Sequence, residues 1–225
     1  MGLMIGYSTL SPGVSTAIFD SKINFLKNIN FSYNVRHLQG TNMTITYAQA
    51  VSVHEQADLL VDAATIAASI DTMAAAITKT LSKEMPLVLC VLNGGMIPMA
   101  QLLLKLQFPL ETDYLHATRY GNKTIGTNLS WLARPSTDIS NRTVLVVDDI
   151  YDEGHTLAAI CEYLKEAGAN KVYAAALLNK VHDRKVEYVP DFIGLDVEDR
   201  FVYGFGMDYQ GYFRNVDGIY AVKDM

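Results

Sequence analysis

Asp148 and Asp149 stand side by side at the end of a short apolar run, residues 144–147, and within a few positions come Asp152, Glu153, Gly154, His155 and Thr156. The run shows no polar/apolar alternation, which predicts a strand buried on both faces with the acid pair at its C-terminal tip. Leu157, Ile160, Cys161 and Leu164 recur at helical spacing up to Gly168, so residues 152–156 form the loop that opens a helix. In an open parallel sheet, ligands bind beyond the carboxyl ends of strands, and a helix-opening loop aims backbone N–H groups at whatever lies there. Such a cradle suits a phosphate. Carboxylates beside a phosphate repel it unless they meet sugar hydroxyls, a divalent cation or a carbon gaining positive charge, so the combination implies a phosphorylated sugar with Mg²⁺. The bland alternative is a strand–helix unit whose acids cap the helix and are solvated. Three acids around a Gly- and Thr-containing loop, directly after a hydrophobic strand, weigh against it.

The elements that must position these residues follow from the rest of the chain. A sequence of 225 residues, 50% hydrophobic, can bury a sizeable core as one domain with an accessory lobe. A formal charge of −6 argues against a nucleic-acid partner, because a phosphate backbone demands a basic surface. Cys90 and Cys161 both lie among apolar residues and read as buried free thiols, which fits a reducing cytoplasm. The apolar stretch 87–104 is broken by Asn93-Gly94-Gly95 and Pro98, too interrupted to span a membrane, and the absence of Lys or Arg before Lys22 leaves no charged region of a signal peptide.

Residues 1–42 have no sustained period and read as a poorly defined N-terminal extension, with the domain proper at 43–225. Residues 53–81 carry apolar positions at helical spacing and predict one long or broken amphipathic helix, with His54 and Glu55 on its surface. Pro86 leads into a strand at 87–92, then Asn93-Gly94-Gly95, then a helix from about 97 to 106, a second strand–glycine loop–helix unit. Residues 113–117 predict a strand and 119–128 a polar loop; a loop of that length is either a mobile functional lid or the tip of an exposed hairpin whose return strand holds Leu129 and Trp131. Residues 171–178 form an apolar strand ending in Asn179-Lys180.

The run Val-Leu-Val-Val-Asp-Asp-Ile-Tyr-Asp-Glu-Gly-His-Thr-Leu closely resembles the phosphoribosyl-pyrophosphate (PRPP) loop of type I phosphoribosyltransferases, with Glu153 and His155 at two of its variable positions. The C-terminal pattern of Phe201-Val202, Met207-Asp208-Tyr209 and Tyr212-Phe213-Arg214 is similar to the purine-binding segment of the hypoxanthine-guanine branch. The resemblance covers roughly residues 45–225. It implies an α/β fold, a parallel doubly wound sheet with a small hood lobe built from N-terminal segments and from about 200–217. It also implies a Mg²⁺-dependent transfer of phosphoribosyl from PRPP to a 6-oxopurine, and a homodimer or homotetramer.

By the same resemblance, Asp148 and Asp149 hold the ribose hydroxyls, directly or through Mg²⁺, and Asp152 is the general base that accepts the purine N7 proton. The backbone of Glu153, Gly154, His155 and Thr156 cradles the 5-phosphate. Asn93 and Gly94 fall at the pyrophosphate loop, with Asn93 where the family usually has Lys, and Arg214 reaches pyrophosphate. Lys180 donates to the purine 6-oxo group, Phe201 stacks on the base and the Val202 backbone meets its edge. Asp208 binds Mg²⁺, and Arg119 and Tyr120 stand at the base of a catalytic lid. Two rivals share these features: a transferase of the same fold with another base, such as xanthine or adenine, and a non-catalytic PRPP-binding regulator. The acidic charge, the lack of a helix-turn-helix pattern and the joint presence of Asp152 and Lys180 weigh against the regulator.

Overall fold

The computed structural model describes residues 45–119 and 129–223. The described residues begin with α1 (Tyr47–Gln56), β1 (Asp58–Asp62) and α2 (Ala63–Leu81), followed by β2 (Leu87–Val91) and α3 (Met96–Leu103). Next come β3 (Glu111–Arg119), β4 (Leu129–Ala133), β5 (Thr143–Tyr151) and α4 (His155–Glu166). It closes with β6 (Lys171–Val181), β7 (Phe192–Glu198), β8 (Val202–Tyr203) and β9 (Gly218–Ala221). Six strands form the main sheet in the order β4-β3-β2-β5-β6-β7. All neighbours are parallel except β3 and β4, which make an antiparallel hairpin. The chain therefore winds outward in one direction from β2 and in the other from β5, which places the switch point between these two central strands.

The absence of alternation in β5 has a direct structural cause. Val144 and Val146 pack with Leu157, Ile160, Cys161 and Leu164 of α4, whereas Leu145 and Val147 pack on the opposite face with residues of α2 and α3, among them Ile66, Ile70, Met99 and Leu102. Successive side chains of a strand point to opposite faces, so a strand covered on both sides needs an apolar residue at every position. Each such burial contributes about 1.5–3 kcal/mol relative to exposure. The strands run further than their apolar cores: β5 continues through Asp148 and Asp149 to Tyr151, and β6 through Lys180 to Val181. Ladder pairing between β5 and β6 extends to Tyr151 and Asn179, which holds the polar tips in register where composition alone stops signalling a strand.

The helical reading of 53–81 is corrected in its first third. The helix begins at Ala63, where the Asp62 side chain accepts the Thr65 N–H at 2.8 Å as an N-cap, and residues 58–62 are a strand. That strand pairs with β9, more than a hundred residues downstream, in a three-stranded sheet of order β1-β9-β8. A long-range partner of this kind leaves no local periodicity. His54 is half-buried rather than fully on the surface: its Nδ1 lies 2.9 Å from the Tyr203 hydroxyl, and its ring stacks on Phe213 at 5.1 Å. Glu55 is exposed as expected.

Cys90 and Cys161 are both buried and free. Burial, reinforced by the charges of Asp148 and Asp149, pushes the Cys90 thiol up to about 12; burial likewise raises Cys161 to about 11. Thiolate is the reactive form, so neither residue should react with an alkylating reagent at about pH 8 in the native protein, while denatured protein should take up two labels. Mass spectrometry after a timed pulse of iodoacetamide checks this, and rapid native labelling of Cys90 would contradict the burial described.

Candidate active site

The C-terminal end of β5 delivers its carboxylates into a cavity of about 420 Å³ at the switch point. Asp148 and Asp149 line it, followed by Asp152 and the turn through Thr156 and Leu157; Gly94, Asp208 and Arg214 close the far side. Asp148 is buried, and its Oδ1 accepts the Asp149 N–H at 2.9 Å, while Asp149 Oδ1 accepts the Ile150 N–H at 2.8 Å. Burial drives the Asp148 carboxyl well above the usual carboxylate range, and the neighbouring charge of Asp149 adds to it. Asp149 is also raised by burial, against the opposing pull of its hydrogen bonds and of the Arg214 charge.

Gly154 makes the turn from strand to helix possible. It sits at φ +87 as the N-cap of α4, and a Cβ there would lie 2.4 Å from the Tyr151 ring. No side chain caps this helix, so the first-turn N–H groups keep their capacity for a ligand, and the macrodipole favours an anion there. His155 and Thr156, which the sequence reading put in the loop, are the first residues of α4. His155 Nε2 and Glu153 Oε2 lie 3.7 Å apart on the same turn.

Across the cavity, the Leu92–Asn93 peptide is cis, and Asn93 is exposed next to Gly94. A Cβ at Gly94 would fall 1.8 Å from Asp149 Oδ2, so this loop lies directly against the acid pair and only glycine permits that approach. Arg214 Nη1 donates to the Gly206 carbonyl at 2.6 Å, and the guanidinium pairs with Asp208. Asp208 Oδ2 also accepts the Gly211 N–H at 2.6 Å.

Asp152 is the junction between this cavity and the neighbouring strand. Lys180 Nζ donates to its Oδ2 at 2.8 Å, and His182 Nε2 lies 2.6 Å from its Oδ1. Burial alone would raise the Asp152 carboxyl, but the Lys180 and His182 hydrogen bonds outweigh it and hold the group below its usual value. Lys180 itself does not line the cavity, and neither do Phe201 and Val202. Phe201 is 42% exposed and meets Tyr209 edge-on at 5.8 Å, while Val202 is buried in β8 with its side chain in the core. Lys180 and the segment leading to Phe201 nonetheless leave the C-terminal ends of adjacent parallel strands, β6 and β7. Of the lid pair, Arg119 is the last residue of β3, and Tyr120 lies outside the described residues.

Three residues at this junction escaped the sequence reading. His182 is the first; the second is Lys185, whose Nζ donates to the Tyr151 and Asp152 carbonyls at 3.0 and 2.8 Å and sits 3.6 Å from the Tyr151 ring centroid. The third is Asp199, held by Arg184 through two hydrogen bonds of 2.8 and 3.0 Å. The signal that could have found the first two is the run His182-Asp183-Arg184-Lys185 just past a buried strand's tip, the same placement that singled out the acid pair. Asp152, His182 and Asp199 bring potential ligand atoms within 4.8 Å of one another, but Lys180 and Arg184 already bond both carboxylates, which makes the group an ion-pair network.

Comparisons with known proteins agree with this architecture. The phosphoribosyl transferase domain family matches residues 56–210. The chain is 30% identical over 171 residues to a hypoxanthine-guanine phosphoribosyltransferase of Bacillus subtilis, covering 76% of this chain and 95% of that one. Over 149 residues it is 36% identical to the Lactococcus lactis protein of the same name, covering 65% and 80%. Among solved structures, a hypoxanthine phosphoribosyltransferase from Staphylococcus aureus superposes with a TM-score of 0.72 at 25% identity, covering 76% of this chain and 95% of that one. A hypoxanthine-guanine-xanthine phosphoribosyltransferase superposes at 0.68 with 30% identity, covering 74% and 97%.

Burial of the acid pair makes the folded state sensitive to pH. A carboxyl raised in the folded state binds a proton more tightly there than when unfolded, so stability falls as pH rises from the ordinary carboxylate range through the raised value. Asp148→Asn keeps the acceptor for the Asp149 N–H and removes the charge. The variant should therefore unfold at a higher temperature than the ligand-free parent at about pH 8, with the gap narrowing toward about pH 4.5. Calorimetry at the two pH values checks this, and a variant that melts lower at about pH 8 refutes the cost.

Proposed function

The chain belongs to the phosphoribosyltransferase family, and from that premise we propose that it is a purine salvage enzyme. It transfers the 5-phosphoribosyl group of PRPP to N9 of hypoxanthine or guanine, giving IMP or GMP and pyrophosphate. The observation that carries this reading is the Asp152–Lys180 pair beside the acid pair and the uncapped helix. A 6-oxopurine protonated at N7 presents a donor and an acceptor side by side on one edge. The pair answers with the acceptor on Asp152 and a donor on Lys180, whose ammonium has three N–H groups and can serve O6 while keeping its carboxylate partner. Adenine would turn a 6-amino donor toward that ammonium, and a site built around such a bond rejects the mismatch.

The remaining roles are assigned on the same basis. The α4 N-terminus with Glu153, Gly154, His155 and Thr156 takes the 5-phosphate, and Asp148 and Asp149 face the ribose hydroxyls as C1 becomes cationic. Pyrophosphate leaves toward Asn93, Gly94 and Arg214. Phe201 and the Val202 backbone bound the purine, and Arg119 with Tyr120 starts the lid that excludes water. Mg²⁺ belongs to the proposal because Asp208, Asp148 and Asp149 line one cavity with carboxylate oxygens, the donor type that a hard cation takes. When bound, the ion balances the charge of PRPP and departing pyrophosphate.

Residues 43–225 form the transferase domain, 1–42 an extension, and β1, β8 and β9 with the segment around 200–217 the hood. Free buried thiols support a cytoplasmic setting, and among the described residues no helix is long and apolar enough to cross a membrane. Assembly as a homodimer or homotetramer is part of the same proposal.

A panel of hypoxanthine, guanine, xanthine and adenine with labelled PRPP and Mg²⁺ tests the reading; turnover on the first two supports it, and none on either refutes it. The likeness to a xanthine-using enzyme makes xanthine the informative third base. Asp152→Ala should lower turnover by about two orders of magnitude while PRPP still binds, as loss of a general base does. Lys180→Ala should erase the preference for 6-oxopurines over adenine in competition, and an unchanged preference would remove Lys180 from base recognition.

A further inference from the structure

His182 is nearly sealed from solvent, with 3% of its side chain exposed, although it follows a strand that ends among charged residues. Both of its ring nitrogens are engaged. Nδ1 lies 3.2 Å from the Arg184 backbone N–H, which can only donate, so Nδ1 must accept. Nε2 therefore carries the ring proton and donates it to Asp152 Oδ1 at 2.6 Å. The result is a neutral donor with a fixed tautomer, held at the opposite oxygen of the carboxylate from Lys180.

The two donors differ in what else they must do. Lys180 sits at the tip of β6 with a flexible stem and, on the function proposed above, shares its ammonium with the purine. A carboxylate gripped by Lys180 alone would swing about its Cβ–Cγ bond whenever that ammonium turned to the base. His182 has no second task, and its ring is locked by burial and by the Arg184 N–H. Arg184 in turn grips Asp199 through a two-bond fork, and Asp199 lies two positions before Phe201. One turn thus ties the carboxylate to the segment that bounds the purine.

We propose that His182 is the positioning residue of the reaction, a neutral Nε2–H donor that fixes the plane of the Asp152 carboxylate so that a lone pair faces the purine N7 proton. His182 itself neither gains nor loses a proton in the step. This inference rests on the function proposed above, because it needs Asp152 to act on a base.

The test uses the full chain. Nitrogen-15 NMR of histidine-labelled wild-type protein reads the tautomer directly. A protonated Nε2 and bare Nδ1 are expected, and a protonated Nδ1 overturns the proposal whatever the kinetics. His182→Met fills the space without a donor, and His182→Gln restores an N–H that reaches Oδ1. His182→Met should lower kcat for hypoxanthine about 10- to 100-fold, the scale of a misplaced catalytic group, with KM for PRPP within about twofold. His182→Gln should recover most of that loss. Wild-type kcat in His182→Met, or a His182→Gln variant as slow as His182→Met, overturns the proposal. If His182→Met does not fold, the NMR result and His182→Gln kinetics decide, since a proton relay would fail with a glutamine that cannot titrate. An inactive wild type in the purine panel defeats the function reading instead and leaves the tautomer measurement standing on its own.

Discussion

Two neighbouring carboxylates at the end of a strand that is apolar on both faces form the constraint around which this molecule is arranged. Burial of charge without a partner is expensive, and here it is concentrated just past the last ladder pair of β2 and β5, Cys90 with Val147, where the chain winds away from the two strands in opposite directions. The fold answers from several directions. The α4 N-terminus opens onto the same cavity with uncapped amides, Arg214 reaches in from the C-terminal segment, and Gly94 lets the loop after β2 lie against Asp149 without a side chain between them. None of these neutralises Asp148 fully. A buried carboxylate of this kind works against folding, the usual relation between a charged site and the stability of the fold that holds it.

Asp152 solves a different problem three residues later. It lies past the last ladder pair of β5, half out of the core, and would be free to rotate if nothing held it. Lys180 and His182 converge on its two oxygens from β6 and the turn that follows, and Lys185 fixes its backbone carbonyl together with that of Tyr151. Parallel pairing of β5 with β6 makes this possible, because parallel strands bring their C-terminal tips to the same edge. The same geometry carries the segment after β7 to that edge, where Arg184 and Asp199 bind the two turns to each other.

The three-stranded sheet joins both ends of the described chain. β1 pairs with β9, and β9 with β8, so the segment bearing Phe201 and Val202 is anchored through residues just before α2. His54, Tyr203, Phe213 and Tyr220 pack their rings together there, with Tyr203 fully buried. A large aromatic cluster under a short strand is a rigid support, since each ring buries much surface with few rotatable bonds.

The sequence by itself determined the central strand–loop–helix unit, the glycine loop after β2, the buried thiols and the acids that line the cavity. Each is written in local pattern: an unbroken apolar run, a glycine where the chain must turn left-handed, acids at a strand's tip. Glu153, His155 and Asn93 could be assigned places but not partners, because a motif fixes backbone shape more tightly than side-chain contacts. Only the tertiary structure decided that residues 58–62 are a strand and that His54 belongs to the aromatic cluster; both depend on partners from beyond residue 200. It also decided that Lys180 reaches Asp152 and that His182 shares that carboxylate. Those contacts arise from strands paired across nearly thirty residues of chain, and no periodicity within either strand records which neighbour it will have.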